Sequence, residues 1–146
     1  MHVEKDYQIK APIEKVFSFI KETGQFSQCI PNLVRYEKVS ENNFRLFVTQ
    51  KFAFLKSNLT MDWTILETTK DSGKLKIVGK SIGSTFEVLV GLKLTPAKDG
   101  CSMHLILDIS TGGLLKPVPE SVIAGAAARL AEEIFSCVAG KCAVNS

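Results

Sequence analysis

A single stretch near the C-terminus, residues 117–142, constrains the fold of this chain more than any other. Pro117 and Pro119 suit the first turn of a helix, where a fixed backbone angle and a missing N–H are tolerated. Apolar residues then recur about every four positions, which is typical of a helix that buries one face. The apolar row is Val118, Val122, Ala126, Leu130, Ile134 and Val138, widened by Ile123, Ala127 and Phe135. We therefore predict a single amphipathic helix over this stretch.

Alternating apolar and polar residues fill the middle of the chain, from residue 33 to residue 109. A period of two is typical of strands with one buried face. Short turn signals, such as 41–43 and 71–73, separate the alternating segments and favour antiparallel neighbours. The first apolar row is Phe44, Leu46, Val48, Phe52 and Phe54, and later rows contain Met61, Trp63, Phe86, Val88, Leu105 and Ile109. Before this region, residues 3–10 predict one further strand, and two short helices follow it.

The predicted order is one strand, two helices, six strands and one long helix, which indicates an α+β fold. Each strand has a single apolar face, so the sheet is covered on one side only. The helix over 117–142 carries the one long apolar stripe that can cover that side. We expect a helix-grip architecture, in which a strongly bent antiparallel sheet wraps around the terminal helix. Nothing suggests a linker, so residues 1–146 are expected to form one domain.

Charge and targeting features argue against several classes of protein. The net charge of +3 is small and its basic residues are dispersed, so we expect no nucleic-acid binding. The first ten residues lack the apolar core of a secretory signal. Arg129, Glu132 and Glu133 stand in the middle of the C-terminal helix, where charges are costly in lipid. We therefore expect a soluble cytoplasmic protein without a membrane-spanning helix.

The cysteines and histidines show no spacing typical of a metal site or a disulfide framework. Cys29, Cys101, Cys137 and Cys142 form no CxxC pair, and a chain of this size needs no disulfide to fold. We interpret all four as buried or half-buried thiols. His104 stands in an alternating strand and should point away from the core. The expectation is a protein with no metal site and no cofactor.

Polar residues that could catalyse a reaction are scarce on the inward rows, where Gln50, Ser81 and Ser84 are the exceptions. The carboxylates of the strands fall on outward faces by alternation: Asp62, Glu67, Glu87 and Asp108. The chain contains no nucleophile elbow, phosphate loop or dinucleotide fingerprint. We therefore expect no catalytic residues and a protein that is not an enzyme.

Small residues occupy the centre of the C-terminal helix, at positions 124–128. They either let the helix pack closely on the sheet or leave a space beneath it, and the sequence leaves both interpretations open. If a space forms, apolar side chains line it, as a hydrophobic ligand requires. The candidate lining residues are Phe17, Val48, Gln50, Phe52, Trp63, Phe86, Val88, Leu105, Ala124, Ala128 and Phe135. On this interpretation, Gly125→Leu or Ala128→Leu would weaken ligand binding before it weakened folding.

The order of elements resembles the START-like, birch-pollen-allergen-like superfamily (SRPBCC) of hydrophobic-ligand binders. Three segments are similar to the CoxG family of CO dehydrogenase accessory proteins: 29–32, 79–84, and Gly112-Gly113 followed by 124–135. The resemblance implies a non-catalytic accessory protein that binds a quinone, lipid or fatty acid. It also implies association with a molybdenum hydroxylase-type CO dehydrogenase. Asn32 departs from the family pattern, because glycine is usual at that position.

The resemblance leaves membrane contact and two other functions open. Contact would be peripheral, at the inner face of the membrane, and residues 52–58, with rings beside Lys51 and Lys56, are the best candidate segment. One alternative is a polyketide cyclase or aromatase that acts through a polar group in the cavity. Its candidate residues are Tyr36, Gln50 and Ser84. The other alternative is a protein-interaction module that docks a redox enzyme through an exposed sheet face.

Overall fold

A computed structural model describes residues 1–49, 54–55 and 57–143 of the chain. In chain order the elements are β1 (His2–Ile9), α1 (Ile13–Lys21), α2 (Thr23–Phe26), a 3₁₀ turn (Ser27–Cys29), β2 (Leu33–Ser40), β3 (Asn43–Val48), β4 (Leu59–Thr68), β5 (Ser72–Ser81), β6 (Ser84–Ala97), β7 (Gly100–Gly113) and α3 (Glu120–Ala143). This is the predicted order of one strand, two helices, six strands and one long helix. The α+β helix-grip fold is therefore confirmed.

The described strands form one antiparallel sheet of seven, in the order β1-β7-β6-β5-β4-β3-β2. Strands β2 to β7 make the meander that their short turns predict. The first strand joins the far edge by pairing with β7, so that His2 faces Asp108 and Ile9 faces Cys101. A two-residue turn joins β5 to β6, and Gly83 in it has a φ of 71°, which glycine adopts without steric cost.

The inward rows of the sheet are buried as the alternation predicts, with Phe44 and Leu46 at most 3% exposed. The first row is shorter than the predicted one, which reaches Phe54. In the structure β3 ends at Val48, where its pairing with β4 stops opposite Leu59. Residue types show which face is apolar and do not show where pairing ends, so Phe54 lies in the connection to β4 instead.

The long helix starts at Glu120, three residues later than predicted. The N–H groups of Val122 and Ile123 both donate to the carbonyl of Pro119, which therefore stands just before the first helical residue. Glu120 places its negative charge in the first turn, where the helix dipole favours an anion. Val118 belongs to the preceding turn, in which its N–H donates to the carbonyl of Leu115.

The buried face of α3 follows most of the predicted stripe and departs from it at Val122. Each residue turns about 100° around a helix axis, so a row of residues four apart drifts by about 40° at each step. The row beginning at Val118 therefore starts at the edge of the buried face, where Val122 is 44% exposed, and enters that face at Ala126, Ile134 and Val138. The buried residues of α3 are Ile123, Ala126, Ala131, Ile134, Phe135, Val138 and Cys142.

The expectation of four free thiols is wrong for two of them. Cys29 and Cys137 form a disulfide with a Cα–Cα distance of 5.5 Å. The bridge joins the 3₁₀ turn to the C-terminal half of α3, two segments that are 108 residues apart in sequence. Their proximity depends on how the helices pack together, which cysteine spacing cannot show. Cys101 and Cys142 are free and buried, as predicted.

Candidate ligand-binding cavity

An apolar cavity lies between the concave face of the sheet and the helices. Its volume is about 240 Å³, slightly below the range of about 300–1,000 Å³ typical of small-molecule sites. The helices supply Phe17, Ile20, Phe26, Ile123, Ala126, Ala127, Leu130, Ala131, Ile134 and Phe135, and the sheet supplies Phe44, Met61, Trp63, Ile65, Leu75, Ile77, Phe86, Val88, Val90, Leu92, Leu105, Leu107 and Ile109. The space beneath the small centre of α3 is therefore present, and close packing of the helix on the sheet is excluded there.

Small side chains of α3 form part of the cavity wall, but they are not the ones predicted. Ala126, Ala127 and Ala131 line the space. Ala124 and Ala128 are not among the lining residues. A Cβ added at Gly125 would meet no atom within 4 Å, so this glycine faces open space. The Gly125→Leu and Ala128→Leu tests therefore address the wrong face of the helix.

Six of the predicted lining residues do surround the cavity. They are Phe17, Trp63, Phe86, Val88, Leu105 and Phe135. Val48 is buried in the core and does not line the space. Gln50 and Phe52 lie outside the described residues, as do Lys51 and Lys56 of the predicted membrane segment.

The sequence reasoning missed lining residues of two kinds. Leu107 and Ile109 stand on the same inward row as Leu105, so the alternation already contained the signal for them. Phe26 lies in α2, which has four residues and is too short to show a periodic pattern. Its ring contacts Trp63 and Phe135, at centroid distances of 6.0 and 6.4 Å, and these contacts are visible only in the folded chain.

Gly79 determines how closely the ring of Phe86 approaches the sheet. The two residues face each other across β5 and β6. A Cβ built on Gly79 would lie 2.1 Å from Cζ of Phe86, far inside any allowed contact. Because Phe86 lines the cavity, the missing side chain at Gly79 sets the position of that part of the wall.

Aromatic contacts hold another part of the wall. The ring of Trp63 is 5.5 Å from that of Phe44, which in turn is 5.8 Å from that of Tyr36. Such tilted pairs contribute about 0.5–1.5 kcal/mol beyond their buried area. Within the described part of the chain, the buried Nε1 of Trp63 has no hydrogen-bond acceptor.

Burial and the nearby charge of Glu132 raise the pKa of Tyr7, so that this phenol stays neutral.

The only charged residues among the described cavity-lining positions are two lysines, Lys21 and Lys74. Nζ of Lys21 lies 5.4 Å from the centroid of the Phe17 ring, so the cation stands over an aromatic wall of the cavity. Thr23, also a lining residue, bonds through its hydroxyl to the hydroxyl of Tyr36 at 2.5 Å. The remainder of the described lining is overwhelmingly apolar, with Thr68 and Thr111 as its other hydroxyl groups.

The convex face of the sheet carries the carboxylates, as predicted. Asp62 pairs with Arg45 at 2.8 Å, Glu87 with Lys76 at 2.8 Å and Glu67 with Lys74 at 3.9 Å. Each of these side chains is more than one third exposed, so the pairs contribute little to stability. The convex face therefore carries the charge, and the concave face carries the cavity.

Two histidines join β1 to β7 on this convex face, and His104 points away from the core as predicted. Nδ1 of His2 is 2.7 Å from Asp108, and Nδ1 of His104 is 2.8 Å from Asp6. Glu4 lies between the two rings, 3.2 Å from His2 and 3.0 Å from His104. The carboxylates raise the pKa of both histidines, chiefly through Asp108 for His2 and Asp6 for His104, and His2 is the main group that lowers the pKa of Glu4.

A curved antiparallel sheet that grips a long helix over an apolar cavity defines a START-like helix-grip protein, and solved structures agree. A conserved protein from Geobacillus kaustophilus matches over 98% of this chain and 95% of its own, with a TM-score of 0.90 and 18% identity. A START superfamily protein from Mycobacterium smegmatis matches over 99% of both chains, with a TM-score of 0.79 and 14% identity. The Zhui aromatase/cyclase from a Streptomyces species matches over 97% of this chain and 93% of its own, with a TM-score of 0.75 and 12% identity. Identities this low show a common fold alone.

The chain belongs to the CoxG family, named for the G subunit of carbon monoxide dehydrogenase, whose sequence model matches residues 6–143. A search of curated proteins finds no match. The resemblance carried by the three sequence segments is therefore confirmed, and it indicates an accessory role in ligand binding. Asn32 has a φ of 60°, in the left-handed region that glycine enters freely and asparagine tolerates. The departure from the family pattern at this position therefore keeps the backbone conformation that glycine would adopt.

Within the described ranges, no helix combines the length and the apolar character that crossing a membrane requires.

Proposed function

We propose that this protein is a non-catalytic accessory protein that binds a hydrophobic molecule, such as a quinone or a lipid, between the sheet and α3. It would work with a CO dehydrogenase-type redox enzyme, as membership of the CoxG family suggests. The observation that carries the proposal is the apolar cavity beneath the small residues of α3. A ligand that buried about 200 Å² of apolar surface there would gain about 5 kcal/mol, at about 25 cal/mol per Å².

Filling the cavity from α3 tests whether it is the binding site. Ala127→Leu adds three carbons at a lining position, whereas Ala128→Leu adds the same atoms at the next residue, outside the lining. We expect the first variant to bind a quinone or lipid analogue at least tenfold more weakly and the second to bind like the wild type. Quenching of Trp63 fluorescence measures binding, because Trp63 lines the cavity. Equal affinities in the two variants would place the ligand elsewhere.

The identity of the ligand requires an unbiased measurement. The protein should be purified from its native host without detergent, extracted with organic solvent and analysed by mass spectrometry. A stoichiometric quinone or lipid supports the proposal. A protein that carries no extractable molecule, and that takes up neither a quinone nor a fatty-acid analogue, contradicts it. Proteins recovered in the same purification identify the partner enzyme.

The proposed location is the cytoplasm, with peripheral contact at the inner face of the membrane. Part of the predicted membrane segment, 52–58, is described: the N–H of Ser57 donates to Oγ of Ser81, and Oγ of Ser57 accepts the N–H of Ile82 at 2.8 Å. Ile82 is 72% exposed, and the neighbouring Leu114 is 48% exposed. Two large exposed apolar side chains on one end of the sheet support contact with a lipid surface.

Sedimentation with vesicles tests this contact. The wild type should co-sediment with lipid vesicles more strongly than Ile82→Asp, because Ile82 would enter the interface and an aspartate there would stay hydrated. Leu89→Asp is the matched control, since Leu89 is 48% exposed on the convex face of β6. If both variants sediment as the wild type does, the contact does not involve the turn between β5 and β6.

A cyclase or aromatase activity has support from one fold neighbour and little from the cavity. The hydroxyl of Tyr36 is held by Thr23, and Tyr36 does not line the cavity. Ser84 is 2% exposed and is likewise absent from the described lining. Gln50, the third candidate, lies outside the described residues. An interaction module without a ligand is the other alternative, and the extraction experiment separates it from a binding protein.

A further inference from the structure

Polar residues gather at one end of the cavity, and their arrangement bears on the kind of ligand it takes. Lys21 ends α1, Thr23 begins α2, and Thr68 ends β4 just before the turn to β5. The two groups are neighbours: a Cβ added at Gly73, which pairs with Thr68, would lie 4.0 Å from Cε1 of Phe17, one turn before Lys21. We call these three residues, Lys21, Thr23 and Thr68, the cationic rim.

The cavity is long in the direction away from this rim. Gly73 faces Thr68 at the rim, while Gly79, six residues further along β5, faces Phe86. At about 3.3 Å per strand residue, these two points are about 20 Å apart. The wall between them is formed by Leu75 and Ile77, both apolar lining residues. An apolar path along β5 therefore leads from the rim into the cavity.

The charge at the rim comes from Lys21. Within the described part of the chain Lys21 forms no ion pair, and its ammonium contacts the Phe17 ring instead. Lys74, the other described lysine next to the cavity, directs its ammonium to Glu67 on the convex face and does not belong to the rim. Lys21 is exposed to solvent, so an anion can meet its ammonium without the cost of removing a charge from water.

We propose that the cationic rim binds the anionic head of an amphipathic ligand, a carboxylate or a phosphate, while one apolar chain lies along the cavity. Lys21 is the main contact, and the hydroxyls of Thr23 and Thr68 assist it. The inference rests on the proposed function, because it assumes that the cavity binds a ligand. It goes further by naming the charge of the ligand, and it favours a lipid acid or lipid phosphate over a neutral quinone.

Four probes with the same twelve-carbon chain test the proposal on the intact protein: dodecanoate, dodecyl phosphate, dodecanol and dodecyltrimethylammonium. Binding is measured by calorimetry below the concentration at which each probe self-associates. Because an exposed ion pair is a weak interaction, we expect dodecanoate or dodecyl phosphate to bind about two- to fivefold more tightly than dodecanol, and the cation to bind most weakly. The better of the two anions identifies the head group. Added salt should weaken the anions and leave dodecanol within about twofold.

Variants of Lys21 show whether the preference comes from the rim. In Lys21→Gln, dodecanoate should bind no more tightly than dodecanol. Lys21→Arg should still bind dodecanoate more tightly than dodecanol, because it keeps the positive charge. Lys98→Gln removes an equivalent charge at the exposed turn between β6 and β7 and should change nothing. If dodecanol binds as tightly as both anions, or if Lys21→Gln leaves the preference intact, the inference is wrong while the cavity is still a binding site. If none of the four probes binds, the proposed function itself fails.

Discussion

The two halves of α3 are anchored in different ways. In the C-terminal half, Val138 and Cys142 are at most 2% exposed and Cys137 is bonded to Cys29. In the N-terminal half, Ala126 and Ala127 face the cavity. One end of the helix is therefore fixed to its surroundings, while the other spans an open space. We infer that stability and ligand binding are separable by mutation along a single helix.

Removing the disulfide, which anchors the C-terminal half of α3, should have the largest effect on stability. Cys29→Ser combined with Cys137→Ser opens a cross-link between residues 108 apart, which should lower the free energy of unfolding by about 4 kcal/mol. Urea denaturation at a fixed temperature measures the loss. Affinity for a cavity ligand should change little under conditions where the variant is folded. The control is Cys101→Ser with Cys142→Ser, which changes two buried free thiols and no bond. Equal losses from the two double variants would show that the bridge adds nothing beyond burial.

The bridge also gives a test of location. Structural disulfides persist in oxidising compartments and are rare in the cytoplasm. Thiol labelling of the protein, rapidly quenched in its host cells, should find Cys29 and Cys137 reduced if the proposed cytoplasmic location is right. Bonded cysteines in those cells would instead favour an oxidising compartment.

Truncating one side chain in each half sharpens the comparison. Val138 is 0% exposed, so Val138→Ala leaves a new void in a packed region and should cost about 2 kcal/mol. Leu130 already lines the cavity, so Leu130→Ala enlarges an existing space and should cost about 1 kcal/mol, although it removes more atoms. The midpoints of denaturant unfolding compare the two variants. A larger loss at Leu130 than at Val138 would mean that the N-terminal half is as tightly packed as the other.

A substitution at Asn32, next to the disulfide-bonded turn, should have a smaller effect on stability. Asn32 follows the disulfide-bonded turn and has a φ of 60°. Asn32→Ala should destabilise the protein by about 1 kcal/mol, because a Cβ without a compensating polar group disfavours the left-handed region. Asn32→Gly should cause no loss, since glycine enters this region freely. Thermal unfolding of the two variants measures the difference, and equal stability of both would show that the backbone relaxes at this position.

Replacing the histidines on β1 and β7 should change stability least among these variants, and the change in stability should depend on pH. The raised pKa of His2 and His104 provides stability that is full below the unfolded value of 6.5 and is lost as pH rises through the folded pKa. The lowered pKa of Glu4 provides stability that is present above its unfolded value of 4.5 and is lost as pH falls through the folded pKa. His2→Gln with His104→Gln should therefore lower the urea midpoint most between about pH 4.5 and 6.5. A difference from the wild type that is the same at pH 5.5 and pH 9 would contradict this.

The sequence predicts the fold well because the fold depends on patterns repeated over many residues. Alternation along β3 to β7 fixes which face of each strand is buried, and short turns fix the neighbours. The element ends that differ most from the prediction, Val48 and Glu120, depend on local pairing and hydrogen bonds instead. A proline in the sequence suits both the position before a helix and its first turn, so Pro117 and Pro119 could not separate the two.

The sequence predicts that an apolar cavity is present, but it identifies only some of the residues that line the cavity. Inward rows and small residues on α3 predict a space, and six of the named residues line it. Which alanine faces the space depends on the rotation of α3 about its own axis, where one residue changes the direction by about 100°. The contacts of Phe26 and the Cys29–Cys137 bond join segments far apart in the chain, so no local pattern contains them.

The position of β1 at the far edge of the sheet has a consequence for synthesis of the chain. The first strand to leave the ribosome pairs with the last, since His2 faces Asp108 and Ile9 faces Cys101. At ordinary rates of translation, about 5–20 residues per second, β1 waits for roughly 5–20 s before its partner exists. During that time its inward residues, Val3 and Tyr7 among them, have no sheet to cover them. Nascent chains of this protein should therefore depend on a chaperone until β7 has emerged, and folding should be slow for a chain of this length.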